Sequence, residues 1–350
     1  MLDRPLLKYA CTIEEQNGAA LVSYRGREYT FQADGAPVGR LLQLLDGRRG
    51  IGEVASEAAT DADFVEGLVS DLLAVPLVVE GREVLRDDGA LSGAELFWRL
   101  EGLLYRWRYD GPRTANGRAL EEQVASGGAA EDVVKGFCIE ISHQLRNTPT
   151  EIAVAIANAP NERVRERFMD FYEEEYEHGG MLMDALATWL STDGVRSAAP
   201  LPTTLGLLNT YNWWAQKDVL LYAVALMRDE QSILDAEIPP ERDISGGMQR
   251  HYDVPEEVAR FFRWHVDFDR EEGHGFFPEE VFREYPVIDD DRAASLVNAL
   301  RLIIDLYDTF YWGIYDYYSR HPVESRWSLG LQLPATPTLA EPPRVSAAHA

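Results

Sequence analysis

Cysteine is almost missing from this chain: Cys11 and Cys138 are the two thiols in 350 residues. Two are too few for a disulfide scaffold and too far apart in sequence for a CxxC metal or redox motif, and both read as buried or incidental thiols. Basic residues are also scarce. Against 59 Asp and Glu stand 33 Lys and Arg, for a formal net charge of −26. Such a balance repels a phosphate backbone and argues against nucleic acid as a general partner, while a basic peptide remains compatible. No apolar run is long enough to cross a bilayer, and MLDRPLLKYA lacks the apolar core of a signal peptide. A cytoplasmic protein without a membrane segment is therefore expected. What is present, 46% hydrophobic and 26% charged residues, is ordinary for a folded chain, and the length suggests two domains.

The first 85 residues differ in pattern from the rest. Ala20 to Tyr24 and Glu28 to Phe31 are short runs around Arg25, Gly26 and Arg27, the spacing of a hairpin. Val38, Leu41, Leu42 and Leu45 recur at helical spacing and stop at Asp46-Gly47. Ile51, Val54, Ala55 and Ala58 suggest a second helix, and Phe64, Val65, Leu68, Leu72 and Leu73 a third, before a strand at Leu77 to Val79. Hairpin, three helices and strand fit a small α+β winged-helix fold, followed by a polar stretch from Gly81 to Gly93.

The run GREYTFQADGAPVGRLLQLLDGRRGIGEVA, with FVEGLVSDLLAVPLVVEG after it, resembles the PqqD-like peptide-recognition domains of ribosomal-peptide (RiPP) modifying systems. That resemblance implies binding of a precursor's leader peptide as an added strand. A generic winged-helix accessory domain, packing on its neighbour or supporting a homodimer, is the alternative.

From residue 86 to 320 the pattern is helical. Between Asn161 and Leu190, one long helix is expected, with Val164, Phe168, Phe171, Glu175, His178, Leu182, Ala185 and Trp189 on its inward stripe. Glu175 and His178 stand where apolar residues belong, and their burial must be compensated. A Glu-x-x-His pair on an inward face is one arrangement that holds a metal pair in a helical bundle. Val219, Ala223, Leu226, Glu230 and Ile233 form a second stripe, on a helix expected to begin near Trp213 and Trp214. Val258, Phe261, Phe262, His265, Phe268, Asp269 and Glu272 form a third. Two histidines and four carboxylates are what an iron or manganese pair needs, and a polar core network without metal is the competing explanation. Glu140 and His143 form a further ExxH that either adds a ligand or substrate contact or serves a helix face.

The segments FMDFYEEEYEHGGMLMDAL, LYAVALMRDEQ and FFRWHVDFDREEGHG are similar to the heme-oxygenase-like diiron oxidases, a superfamily that includes TenA-like and PqqC-like proteins. The likeness implies a mainly α, seven-helix bundle whose two irons react with dioxygen, with Glu175, His178, Glu230, His265 and Asp269 matching the ligand pattern. The pattern usually continues HxxxDxxH, and here Glu272 occupies the last position. His274 follows two residues later and could serve only if Gly273 breaks the helix or marks a π-bulge. Another register, Asp267, Glu271 and His274, joins a less apolar face.

Trp213, Trp214, Tyr222, Phe262 and Trp264 read as core packing or a channel lining, and Tyr307, Tyr311, Tyr315 and Tyr318 as an amphipathic packing face. Residues 321–350, rich in Pro and Ala, are expected to be a disordered tail. Four functions follow from these readings. The first is a dioxygen-dependent diiron oxidase acting on a precursor peptide delivered by the N-terminal domain. The others are a diiron oxidase of a free amino acid or small metabolite, a metal-free PqqC-like oxidase, and a peptide-binding scaffold without chemistry.

Overall fold

The computed structural model describes residues 2–16, 19–24, 27–32, 37–107, 115–233, 243–272 and 277–327, without the side chains of 16, 115–117, 229–233 and 269–272. The expected hairpin forms as β3 (Ala19–Tyr24) and β4 (Arg27–Gln32), with Val22 opposite Tyr29 and Ala20 opposite Phe31. Ala20, Val22 and Tyr24 are buried, the period-2 alternation of a strand with one face on a core. Two strands went unanticipated. β2 (Thr12–Gln16) extends the sheet to the order β2-β3-β4, and β1 (Pro5–Leu7) pairs with β5 (Val78–Glu80). Three residues are too few to show alternation, and TIEEQ is polar, so neither carried a signal.

Helices α1 (Val38–Leu44), α2 (Ile51–Ala58) and α3 (Ala62–Ala74) lie where the apolar spacing puts them. The Glu53 side chain accepts from Gly50 N at 2.8 Å, and Asp61 caps α3 by accepting from Asp63 N at 2.8 Å. Leu41, Leu42, Val54, Val65, Leu72 and Leu77 fill the core between these helices and the sheet.

The polar stretch after β5 is folded against its neighbours. It contains α4 (Gly81–Val84), and Ser92 donates to Val84 O while capping α5 (Gly93–Tyr105). Gly81 is required by close approach to Gly47, whose φ of +73° is a left-handed conformation that favours glycine. Lys8 ties the two parts together: it is buried, within 3.3 Å of the Tyr24 hydroxyl, and sits 4.5 Å over the Trp98 ring of α5.

The rest is helical: α6 (Ala115–Ala125), α7 (Glu131–Asn158), α8 (Glu162–Glu175), α9 (His178–Leu186), α10 (Thr192–Ser197), α11 (Pro202–Lys217), α12 (Val219–Ile233), α13 (Ile244–His251), α14 (Glu256–Glu272), α15 (Phe277–Arg283) and α16 (Asp290–Tyr318). The long α7 and α16 run through the bundle and pack on each other and on α11. No helix among the described residues is long and apolar enough to cross a membrane.

Three expectations need correction. The helix expected across residues 161–190 is interrupted at Tyr176 and Glu177. Both keep right-handed helical dihedrals, so the chain holds its direction while the hydrogen-bond ladder lapses. Gly179 and Gly180, poor helix formers, follow at once. Trp213 and Trp214 close α11 rather than open α12, which starts after Asp218, an acceptor for Leu220 N at 2.9 Å. Beyond residue 321, Val323 is fully buried in a 3-10 turn (Val323–Arg326), and its N–H donates to Asp132 Oδ1 at 3.1 Å. The Pro-rich composition of the last thirty residues hid this docking.

Candidate metal centre

Glu175 ends α8 and His178 begins α9, so the interruption in the helix falls between the two polar residues of the stripe. Both remain inward, at 4% and 2% exposure. His265 reaches the same place from α14, with its ring centroid 4.9 Å from that of His178. One ligand-type atom from each of Glu175, His178 and His265 lies within 4.8 Å of the other two. Among the described residues, these three form the cluster of histidine and carboxylate groups that close on one another.

His178 Nδ1 approaches Glu175 Oε2 at 2.9 Å but is not aligned for a hydrogen bond. A buried nitrogen in that state is costly. One carboxylate and two imidazoles converging on a common point form a donor set that suits iron, and a bound cation would relieve the cost. The rings of Trp264 and Phe268 meet His178 edge-on, at 5.1 and 5.2 Å, and fix its orientation.

Beside the cluster lies a cavity of about 250 Å³, into which Glu175 and His265 open. Its apolar wall includes Phe171, Leu226, Phe261 and Phe262. Its polar wall includes Gln144, Glu151, Tyr211, Arg228 and Tyr307. The Tyr211 and Tyr307 hydroxyls are 2.9 Å apart, Gln144 Nε2 donates to Tyr307 at 2.8 Å, and the Arg228 guanidinium stacks 4.4 Å over the Tyr307 ring.

The other anticipated ligands divide. Glu230 is on α12, the helix that also brings Tyr222, Leu226 and Arg228 to the cavity, but its side chain lies outside the described residues. The same holds for Asp269, Glu271 and Glu272 near the end of α14, while His274 lies outside the described residues altogether. Asp267 is exposed, on a different face of α14 from His265.

The second ExxH goes elsewhere. Glu140 is fully buried and accepts from Leu201 N at 3.0 Å, Thr204 Oγ1 at 2.5 Å and Tyr318 at 2.9 Å, a satisfied structural carboxylate. Burial holds its pKa above the usual carboxylate range despite those bonds.

Arg228 and Glu151, each 3% exposed, were missed from the sequence. On α12 every residue from Val219 to Met227 except Leu221 is buried, so no stripe marks the cavity side. The tyrosine repeat divides as well: Tyr307 and Tyr311 line the cavity, and Tyr318 serves Glu140. Tyr222 and Phe262 line the cavity, Trp214 is core, and Trp213 is 54% exposed.

Comparison with known proteins gives the class. Residues 135–308 match the family described as "Iron-containing redox enzyme". A heme-oxygenase-like domain of unknown function from Shewanella denitrificans aligns over 64% of this chain and 92% of its own, at 16% identity and a TM-score of 0.52. A TenA homologue from Pseudomonas syringae pv. tomato aligns over 61% and 91%, at 12% identity and a TM-score of 0.43. No curated protein shows significant similarity. The C-terminal part of this chain thus has a heme-oxygenase-like fold, preceded by a small strand-containing region. The family description that matches implies iron and suggests an oxidoreductase.

Proposed function

We propose that this chain is a dioxygen-dependent non-heme iron oxidase that modifies one residue of a ribosomally made precursor peptide. The observation that carries the oxidase half is the meeting of Glu175, His178 and His265, from three helices, beside a cavity. These three would hold the first iron. Glu230, Asp269 and Glu272, or His274 in place of the last, would complete a pair, with manganese as the alternative metal. Bound metal supplies the binding and reduction of dioxygen.

The chain's own groups do the remainder. Phe171, Phe261, Phe262 and Leu226 exclude water from the reacting centre. Arg228 and the Tyr211–Tyr307 pair orient a polar substrate group, and Gln144, by donating to Tyr307, turns that hydroxyl's proton toward Tyr211 or the cavity. A cavity of about 250 Å³ suits a single amino-acid side chain.

The peptide half is supported by the N-terminal region. Within the three-stranded sheet, β2 and β4 each present an edge that pairs with no strand among the described residues, and an extended peptide can add there. Attachment to the bundle raises the peptide's effective concentration at the cavity. The cavity volume equally fits a free amino acid, which is the second reading.

The deciding experiment is metal analysis after anaerobic ferrous reconstitution, with a Glu175→Ala, His265→Ala double variant as the comparison. Near-stoichiometric iron in the wild type, lost in a variant that is still folded by circular dichroism, is the expected result. A folded wild type that takes up no iron overturns the oxidase reading. Co-expression with candidate precursor peptides, read by their mass change, then tests the peptide half against free amino acids supplied to the same reconstituted protein.

A further inference from the structure

In a chain with a formal net charge of −26, most described arginines pair with a carboxylate, and three of the exceptions lie together. Arg146 on α7, Arg196 on α10 and Arg326 in the final 3-10 turn have no ion-pair partner among the described residues. They are also neighbours. Arg196 lowers the pKa of Arg146, after burial, and Arg146 and Arg326 both act on His143, one turn before Arg146 on α7. Arg326 donates to Ala199 O just beyond α10, and Trp327 covers Gly194 within α10, where a methyl group would meet its ring at 2.5 Å. Like charges held together without a counterion repel, so the fold must offset their repulsion.

The donors around them are incomplete. His143 is 9% exposed, and its Nδ1 lies 2.8 Å from a guanidinium nitrogen of Arg146. A guanidinium only donates, so Nδ1 accepts and the neutral ring carries its proton on Nε2. That Nε2 is buried and has no hydrogen-bond partner, as are Arg326 Nε and Trp327 Nε1. Glu140 is a carboxylate that acts on Arg326, and three N–H donors without acceptors beside Arg146 and Arg196 lack an anionic oxygen acceptor.

We propose that the junction of α7, α10 and the final 3-10 turn binds a small oxyanion, a phosphate or a carboxylate, through Arg146, Arg196 and Arg326 with the N–H groups of His143 and Trp327. An oxyanion supplies both the charge and several acceptor lone pairs. Water supplies acceptors without charge and leaves Arg146 and Arg196 without an ion-pair partner. The site is separate from the iron cluster but abuts it: Gly179, next to His178, packs so closely on Arg146 that a methyl group would lie 2.9 Å from its Cα. An oxyanion here thus braces the turn of α7 against which the first turn of α9 is seated.

The test is calorimetric titration of the full-length protein with inorganic phosphate and, separately, with succinate, at constant ionic strength and pH 7. Saturable binding of at least one anion is expected. Binding of phosphate alone identifies a tetrahedral oxyanion, and binding of succinate alone or of both identifies a site for carboxylates. An Arg146→Gln, Arg326→Gln double variant should weaken binding by about a hundredfold, and Arg196→Gln, at an exposed position, by about tenfold, since each lost charge-assisted bond costs about one decade or more. If the double variant does not fold, Arg196→Gln decides. Absence of saturable binding in the wild type, or unchanged affinity in folded variants, overturns the proposal. Iron content, measured in parallel, should not change in Arg196→Gln, which separates this site from the oxidase reading.

Discussion

The two parts of the molecule treat ionisable groups in opposite ways. Among the described residues of 2–80 the one buried charged side chain is Lys8, and it sits at the boundary with the bundle. The bundle buries Glu101, Glu140, His143, Glu151, Glu175, His178 and Arg228. The small region has an aliphatic core and keeps its polar backbone opportunities at the sheet edges. The large one has enough apolar volume to pay for polar groups inside. Within the bundle the two ExxH pairs differ again: Glu140 has every acceptor need met, whereas Glu175 and His178 meet without a hydrogen bond between them. Local sequence is the same in kind, and the surroundings make Glu140 structural and bring Glu175 and His178 to His265.

The comparison can be broken most forcefully through packing. Phe168→Ala in the bundle, which removes a ring stacked on Tyr222 and edge-on to Phe277, should cost about 3–5 kcal/mol in chemical denaturation, and Leu72→Ala in the small core about 2–5. If the two regions unfold in separate transitions, each substitution will move its own transition alone. Glu140→Ala should come next. It strands Leu201 N, Thr204 and Tyr318 and should cost about 3 kcal/mol, with iron uptake retained in the protein that remains folded.

Glu175→Leu should do the reverse: iron uptake is lost, while the melting temperature of the metal-free protein stays level or rises, because an apolar side chain of similar volume replaces a buried carboxylate. A fall comparable to that of Glu140→Ala would place Glu175 with the structural carboxylates.

The dependence on pH is smaller. Burial, then Arg146 and Arg326, push the His143 pKa down from 6.5 to about 4. Above the unfolded value both states are neutral at this residue. Between 6.5 and about 4 the unfolded chain takes up the proton and the folded one does not, so stability falls as the pH is lowered across that window. His143→Gln should flatten that part of the stability–pH curve. The least effect belongs to the surface: Asp3→Asn, which removes the exposed pair with Arg82 at 2.7 Å, should change stability by less than about 1 kcal/mol.

Apolar periodicity made most of the helices legible, because a helix with one wet face must repeat at 3.6 residues. It also exposed Glu175, His178 and His265, since an ionisable residue in an apolar stripe is conspicuous. Periodicity failed on α12, where burial on all sides erases the stripe and Arg228 carries no mark. It failed also at Tyr176 and Glu177, whose dihedrals remain helical while the ladder lapses, so that the pattern continues across a break.

Composition and spacing alone determined the helical character of the described residues between 86 and 320, the hairpin and three helices before them, and the inward direction of three ligand-type side chains. Those are consequences of local geometry and of hydrophobic burial. That Glu140 is a structural carboxylate was decided by partners 61, 64 and 178 residues away from it. The cavity wall of Tyr211, Arg228 and Tyr307, and the gathering of Arg146, Arg196 and Arg326 from α7, α10 and the 3-10 turn, arise in the same way. Such groupings depend on distances between helices, to which a one-dimensional pattern is blind.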